Sequence, residues 1–154
     1  MTTIDRIEST PITREDAIEI VERLAAAKSR QAIDEAVEIY HPEGVLLCPP
    51  FQSEARGRDE IRTSLERFFA LLPDYTVELD GYGVDGMRLA AWGTIRFTLQ
   101  RTFDSERPNG RLVATPVFIL FEFRDGRVVW ESFHFDLADV ARQSGVPTAS
   151  LERR

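Results

Sequence analysis

The spacing of apolar residues changes period once, near Pro73, and few architectures accommodate that change. Before Pro73 the apolar residues recur at helical intervals. Ala17, Ile20, Val21 and Leu24 form one stripe, and Thr13 stands before it as an N-cap, with Glu15 and Asp16 in the first turn. Ser29 is placed to end this helix and cap a second, in which Ala32, Ile33, Ala36, Val37 and Tyr40 share a face. His41-Pro42-Glu43-Gly44 supplies turn chemistry after it. Val45 to Cys48 reads as a short strand, and Phe51 to Gly57 as a loop. A third helix runs from Arg58 to Leu72 with Ile61, Leu65, Phe68, Phe69 and Leu72 on one side.

After Pro73 the period becomes two. Tyr75, Val77 and Leu79 alternate with polar residues, and long strands are expected at 89–103, 111–123 and 127–135. Asp125-Gly126 between two strand patterns predicts a tight hairpin. Leu137 to Gln143 reads as a short last helix, stopped by Gly145 and Pro147. Helices first and a strand meander second predict an α+β fold: a curved antiparallel sheet packed on three N-terminal helices as a cone, with a short C-terminal helix. The expected organisation is a flexible arm over 1–12, one domain over 13–146 and a tail over 147–154.

Composition narrows the partners. A formal net charge of −7 disfavours nucleic acid and anionic membrane. Cys48 is the only cysteine, and His41 and His134 are the only histidines, so neither a disulfide nor a structural metal site is expected. No signal peptide or membrane-length apolar run is present in the sequence, which makes the cytoplasm the expected location.

Strand parity sorts the side chains. Ala91, Gly93, Ile95, Phe97 and Leu99 share the core face of one strand, and Val117, Ile119, Phe121 and Phe123 that of the next. On the last strand Val129, Glu131, Phe133 and Phe135 oppose Val128, Trp130, Ser132 and His134. Val117, Ile119, Phe121, Phe133 and Phe135, with Phe97 and Tyr40, are the expected wall of an apolar pocket. Trp92, Phe118, Leu120 and Trp130 fall on the back of the sheet, a pattern that suits a homodimer.

Three motifs carry a resemblance: Tyr40-His41-Pro42-Glu43-Gly44, Gly57-Arg58-Asp59-Glu60-Ile61, and Asp125-Gly126-Arg127-Val128-Val129 leading to Asp136 and Gln143-Ser144-Gly145. In this order and spacing they resemble the SnoaL-like, polyketide cyclase-like branch of the nuclear-transport-factor-2-like superfamily. The resemblance implies a cone-shaped cavity and a homodimer. Cyclases, isomerases, dehydratases and epoxide hydrolases share the fold, so it does not specify a reaction. The cyclases place an acid/base aspartate on the last long strand, and the epoxide hydrolases an acid at the same place. Phe133 stands there in this chain, and Val117 and Ile119 stand where the neighbouring strand carries polar residues.

Glu131 is the one acid on the apolar face of the last strand. Desolvation there would tune it as a general acid or base. The alternatives are a bulge that turns it to solvent, or pairing with Arg58 or Arg96. His134 falls on the back of the sheet, His41 beside a helix end, and Asp136 at the N-cap of the last helix. Tyr40 and Trp92 are within reach of a ligand or serve packing alone, and Cys48 has no activating neighbour in the sequence. The expected protein therefore binds an apolar small molecule. It is either a cofactor-independent isomerase, cyclase or dehydratase using Glu131, or a non-catalytic ligand-binding or dimerisation module.

Overall fold

A computed structural model of the chain describes residues 12–153. The expected arm, apart from Ile12, lies outside the described residues. Among the described residues, four α-helices and an open six-stranded sheet make up the fold.

Helix α1 (Arg14–Ser29) starts where Thr13 Oγ1 accepts from the Asp16 amide at 3.1 Å. Its buried stripe is Ala17, Ile20, Val21, Leu24, Ala27 and Lys28, so the expected apolar stripe ends on a cation. Helix α2 (Ile33–Ile39) has Ala32 at its N-cap, not Ser29. Ser29 is the last residue of α1, and its hydroxyl instead accepts from the Val77 amide at 3.0 Å. Arg58 donates from Nε and Nη2 to the Tyr40 carbonyl, at 3.0 and 2.8 Å, and from Nη2 to the Glu38 carbonyl at 3.2 Å. These bonds satisfy carbonyls left open at the end of α2 and hold the chain where Tyr40 begins β1 (Tyr40–Cys48).

Four elements differ from the sequence reading. Strand β1 already begins at Tyr40, which reads as the end of the second helix, and so takes in the expected turn 41–44; the strand expected over 89–103 stops at Thr98. Strand β2 (Ser53–Arg56) occupies what reads as a loop. It is a sheet-edge strand with one buried residue, Ala55, so it carries no apolar alternation to detect. Strand β3 (Thr76–Asp85) runs five residues past Asp80. Gly81 and Gly83 dilute its alternation, and its register shifts between Leu79 and Gly81.

Helix α3 (Gly57–Leu71) lies between β2 and β3. Strands β4 (Arg88–Thr98), β5 (Leu112–Arg124) and β6 (Arg127–Phe135) complete the sheet in the order β2-β1-β6-β5-β4-β3. All neighbours are antiparallel except β1 and β6, which run parallel, with Leu46 opposite Glu131. The sheet is therefore mixed, a refinement that hydrophobic patterning does not encode. The β5–β6 hairpin turns at Asp125 and Gly126, both with positive φ, 54° and 71°, as a two-residue turn of this kind requires. Gly93 has a different role. A Cβ there would lie 1.9 Å from the Glu78 carbonyl oxygen, so only glycine admits the approach of β3 at its register shift.

The strand faces follow parity closely. Leu89, Ala91, Ile95, Phe97, Val113, Val117, Ile119, Phe121 and Phe123 are buried, and burial on β5 alternates along nearly its whole length. One local inversion occurs on β6. A register shift sets Phe123 opposite Val128 and Glu122 opposite Trp130. Val129 is the extra residue, and Val128, not Val129, turns into the core. From Trp130 onward parity resumes, which carries Glu131 inward.

Helix α4 (Leu137–Ser144) is capped by Asp136, whose carboxylate accepts from the Ala138 and Asp139 amides. Gln143 docks α4 on β5 by exchanging hydrogen bonds with both backbone groups of Ala114, at 3.1 and 2.9 Å. Its amide thereby replaces a strand partner beyond the end of β6. The buried Thr115 hydroxyl donates to Asp139 at 2.7 Å, which with Arg142 and Gln143 lowers the Asp139 pKa. Residues 147–153 continue through a 3-10 turn (Thr148–Leu151) with Leu151 buried, and the Phe103 amide donates to the Ser150 carbonyl at 2.8 Å.

Candidate functional site

The central feature is a buried charge cluster at the floor of a cavity. Glu131 is fully buried. Lys28 Nζ donates to both of its oxygens, at 3.1 and 3.0 Å, and the Tyr40 hydroxyl donates to Oε1 at 2.7 Å. Lys28 also lies 5.7 Å from the centre of the Tyr40 ring and 5.8 Å from that of Phe133. A buried carboxylate is tolerated only when paired and hydrogen-bonded, and these three hydrogen bonds from two donor groups meet that demand. Burial, then the Glu131 charge, raises the Tyr40 pKa well above its ordinary value, so its hydroxyl stays a proton donor.

Each member is placed by its own element. Lys28 extends the buried stripe of α1 four residues beyond Leu24. Tyr40 opens β1 under the grip of Arg58, and Glu131 follows the β6 bulge. Neither arginine considered from the sequence pairs with Glu131: Arg58 binds carbonyls, and Arg96 pairs with Glu78 at 3.3 Å. Lys28 escaped the sequence reading, although a signal existed. It is the only lysine among 19 basic residues, and it continues an apolar stripe.

The cavity has a volume of ≈ 250 Å³. Leu46, Phe51, Leu65, Phe68, Leu71 and Phe133 form most of its apolar wall. Lys28, Tyr75 and Glu131 lie at its inner end, and Arg67, Arg101, Phe103 and Arg153 also line it. Glu131 is the only carboxylate among the lining residues. Lys28 and Glu131 both line the cavity, with side chains 9% and 0% exposed. The Tyr75 hydroxyl is buried without a hydrogen-bond partner among the described residues. Burial, followed by the Glu131 charge, raises its pKa well above the ordinary value. An unpaired buried hydroxyl costs roughly 1–3 kcal/mol, and such groups ask for an explanation.

Of the residues expected at the pocket wall, Phe133 lines this cavity and Tyr40 bonds to its acid. Ile119 and Phe121 border a narrow void on the other side of Lys28 and Glu131. Val117 and Phe135 border a shallow groove with Trp92, Phe118 and His134, and Phe97 is buried in the core. Cys48 also lines the cavity, and burial pushes its thiol up to about 12, so it stays protonated and unreactive. His134 shares a 2.6 Å hydrogen bond with Ser132, and His41 Nε2 lies 3.3 Å from Asp125. Neither histidine lines the cavity. No cluster of three or more metal-ligating side chains occurs among the described residues, and none of their helices is long and apolar enough to cross a membrane.

An open sheet wrapped on helices around such a cavity defines the cone-shaped α+β class of the nuclear-transport-factor-2-like fold. The SnoaL-like domain model matches residues 21–131, and the chain belongs to that family. No curated protein sequence matches the chain. Among solved structures it is similar to a protein with a ketosteroid isomerase-like fold from Catenulispora acidiphila, in complex with trimethylamine. That likeness has a TM-score of 0.76 at 18% identity and covers 85% of this chain and 95% of the other. TsrD from Streptomyces laurentii gives a TM-score of 0.74 at 21% identity, over 88% and 99% of the two chains. A SnoaL-like polyketide cyclase from Agrobacterium tumefaciens gives 0.68 at 24%, over 82% and 95%.

The cluster makes a strong prediction about stability. Lys28→Met leaves Glu131 buried with one donor and should cost about 3–5 kcal/mol in urea unfolding. The double variant Lys28→Met/Glu131→Leu should recover most of that loss. Losses that simply add would show that the two residues do not act as a pair.

Proposed function

We propose that this chain is a small-molecule enzyme that moves a proton on a carbonyl compound, with Glu131 and the Lys28 ammonium bonded to it as the acid–base pair. The observation that carries this reading is the single lining carboxylate at the floor of an apolar cavity. An α-carbon proton passes to the Glu131 carboxylate, and the enolate oxygen takes hydrogen bonds from the Tyr75 hydroxyl and Lys28. Return of the proton at another carbon gives isomerisation. Attack of the enolate on a second carbonyl, whose oxygen takes the proton back from Glu131, gives aldol-type cyclisation, and departure of a β-hydroxyl as water with that proton gives dehydration. The residues perform these steps without a metal or organic cofactor. The family resemblance would put the cyclases' acid at Phe133; the acid proposed here lies two residues earlier on the same strand, β6.

Exchange of α-protons with D2O, followed by proton NMR over a panel of cyclic and aromatic ketones, tests the mechanism. The wild type should exchange at least one of them, and Glu131→Gln should slow that exchange by roughly 10²–10⁴-fold. Equal rates would contradict it.

A second reading, a non-catalytic ligand-binding or dimerisation module, draws on the back of the sheet. Trp92 and Phe118 are direct cross-strand partners, both 44% exposed, and Leu120 follows on the same face at 36%. Apolar residues adjoining on neighbouring strands suit a second copy of the chain. In either reading the protein assembles as a homodimer through this face. Phe118→Glu should then give monomers in sedimentation velocity, and an unchanged dimer would exclude the surface.

A further inference from the structure

The arginines at the cavity mouth have no role in moving a proton. Arg67 on α3, Arg101 after β4 and Arg153 after the last 3-10 turn come from distant parts of the sequence and line one cavity. None forms an ion pair among the described residues, and the one carboxylate in the lining, Glu131, is already taken by Lys28. Arg67 and Arg153 also border an outer groove with Glu54, Asp59 and Glu60. Arg56 already engages two of these acids, through its side chain to Glu54 and its amide to Glu60. Because Lys28 balances Glu131, the cavity lining carries an excess of three positive charges in a chain whose formal net charge is −7.

An aromatic ring also stands at the mouth. The Arg153 guanidinium lies 5.7 Å from the centre of the Phe103 ring, and Phe103 itself is 45% exposed. The inner end offers the unpartnered Tyr75 hydroxyl. Between the two ends the wall is apolar and aromatic, with Phe51, Phe68 and Phe133 among its residues. A volume of ≈ 250 Å³ falls just below the roughly 300–1,000 Å³ common for ligand clefts, so the ligand is compact.

We propose that the substrate is a cyclic or aromatic keto acid bound in one orientation. Its carboxylate meets Arg101, Arg153 and Arg67 at the mouth, its ring lies against the phenylalanines, and its carbonyl oxygen reaches Tyr75 and Lys28. Guanidinium forks match a carboxylate through paired, charge-assisted hydrogen bonds. This assignment of substrate class rests on the proton-transfer reading of the same site, but its anion specificity is measured independently of turnover.

Titration calorimetry with 2-naphthoate, 2-naphthamide and 2-naphthyl phosphate provides the test. The naphthoate should bind at least about tenfold more tightly than the isosteric amide, the effect of one to two charge-assisted contacts. Arg101→Gln/Arg153→Gln changes exposed residues only, and should bring the two affinities close to equal. Glu131→Gln should keep the preference for naphthoate. Retained binding preference alongside unchanged proton exchange in that variant would therefore remove the catalytic reading and leave the anion site standing. Equal affinities in the wild type, a preference untouched by the double variant, or no binding of any probe would overturn the proposal. Tighter binding of the phosphate would overturn its carboxylate specificity.

Discussion

The structure depends on one interaction, the pairing of Glu131 with Lys28 under the Tyr40 hydroxyl. It joins the first helix to the last strand across 103 residues of sequence, and Tyr40 adds the first strand. A carboxylate with no exposed surface needs such partners, because an unpaired charge in this environment would outweigh much of a domain's net stability of roughly 5–15 kcal/mol. Two hydrophobic residues of similar volume would fill the same space at no such risk. Retaining ions here gives the cavity floor a carboxylate and a cation, which an apolar floor would lack.

The surrounding fold serves that placement. The Val129 bulge sets the face on which Glu131 emerges. Arg58 holds the junction between α2 and β1 so that Tyr40 points at the acid, and Gly93 lets β3 close on β4 where the register shifts. The apolar wall between floor and mouth keeps charged groups at the two ends. From mouth to floor the lining runs from cations through aromatic rings to the buried cluster.

Much of the fold was legible in the sequence because periodicity and parity are local signals. The change of period at Pro73, the Asp125-Gly126 turn and the alternation of β5 all persist in the structure. Glu131 stood out for the same reason, as an acid on an apolar face. What escaped detection depends on contacts between distant segments. Parallel pairing of β1 with β6 leaves no mark in either strand, and the edge strand β2 buries only Ala55. Lys28 was visible as the only lysine and as the next step of the α1 stripe. Its partner, however, lies on the opposite side of the chain's topology, so neither residue alone reveals the pair. Arg153 reads as part of a tail from its position in the sequence, yet lines the cavity because Leu151 and Ser150 anchor the residues before it.

The single lysine makes the central claim directly measurable. In protein labelled with 15N, the side-chain ammonium region of the NMR spectrum should contain one lysine signal. If Lys28 is buried against Glu131, that signal should be observable and slow to exchange with water near neutral pH. It should move sharply in Glu131→Gln and respond to Tyr40→Phe. A lysine signal lost to rapid exchange in the wild type, or unchanged by both substitutions, would contradict the account.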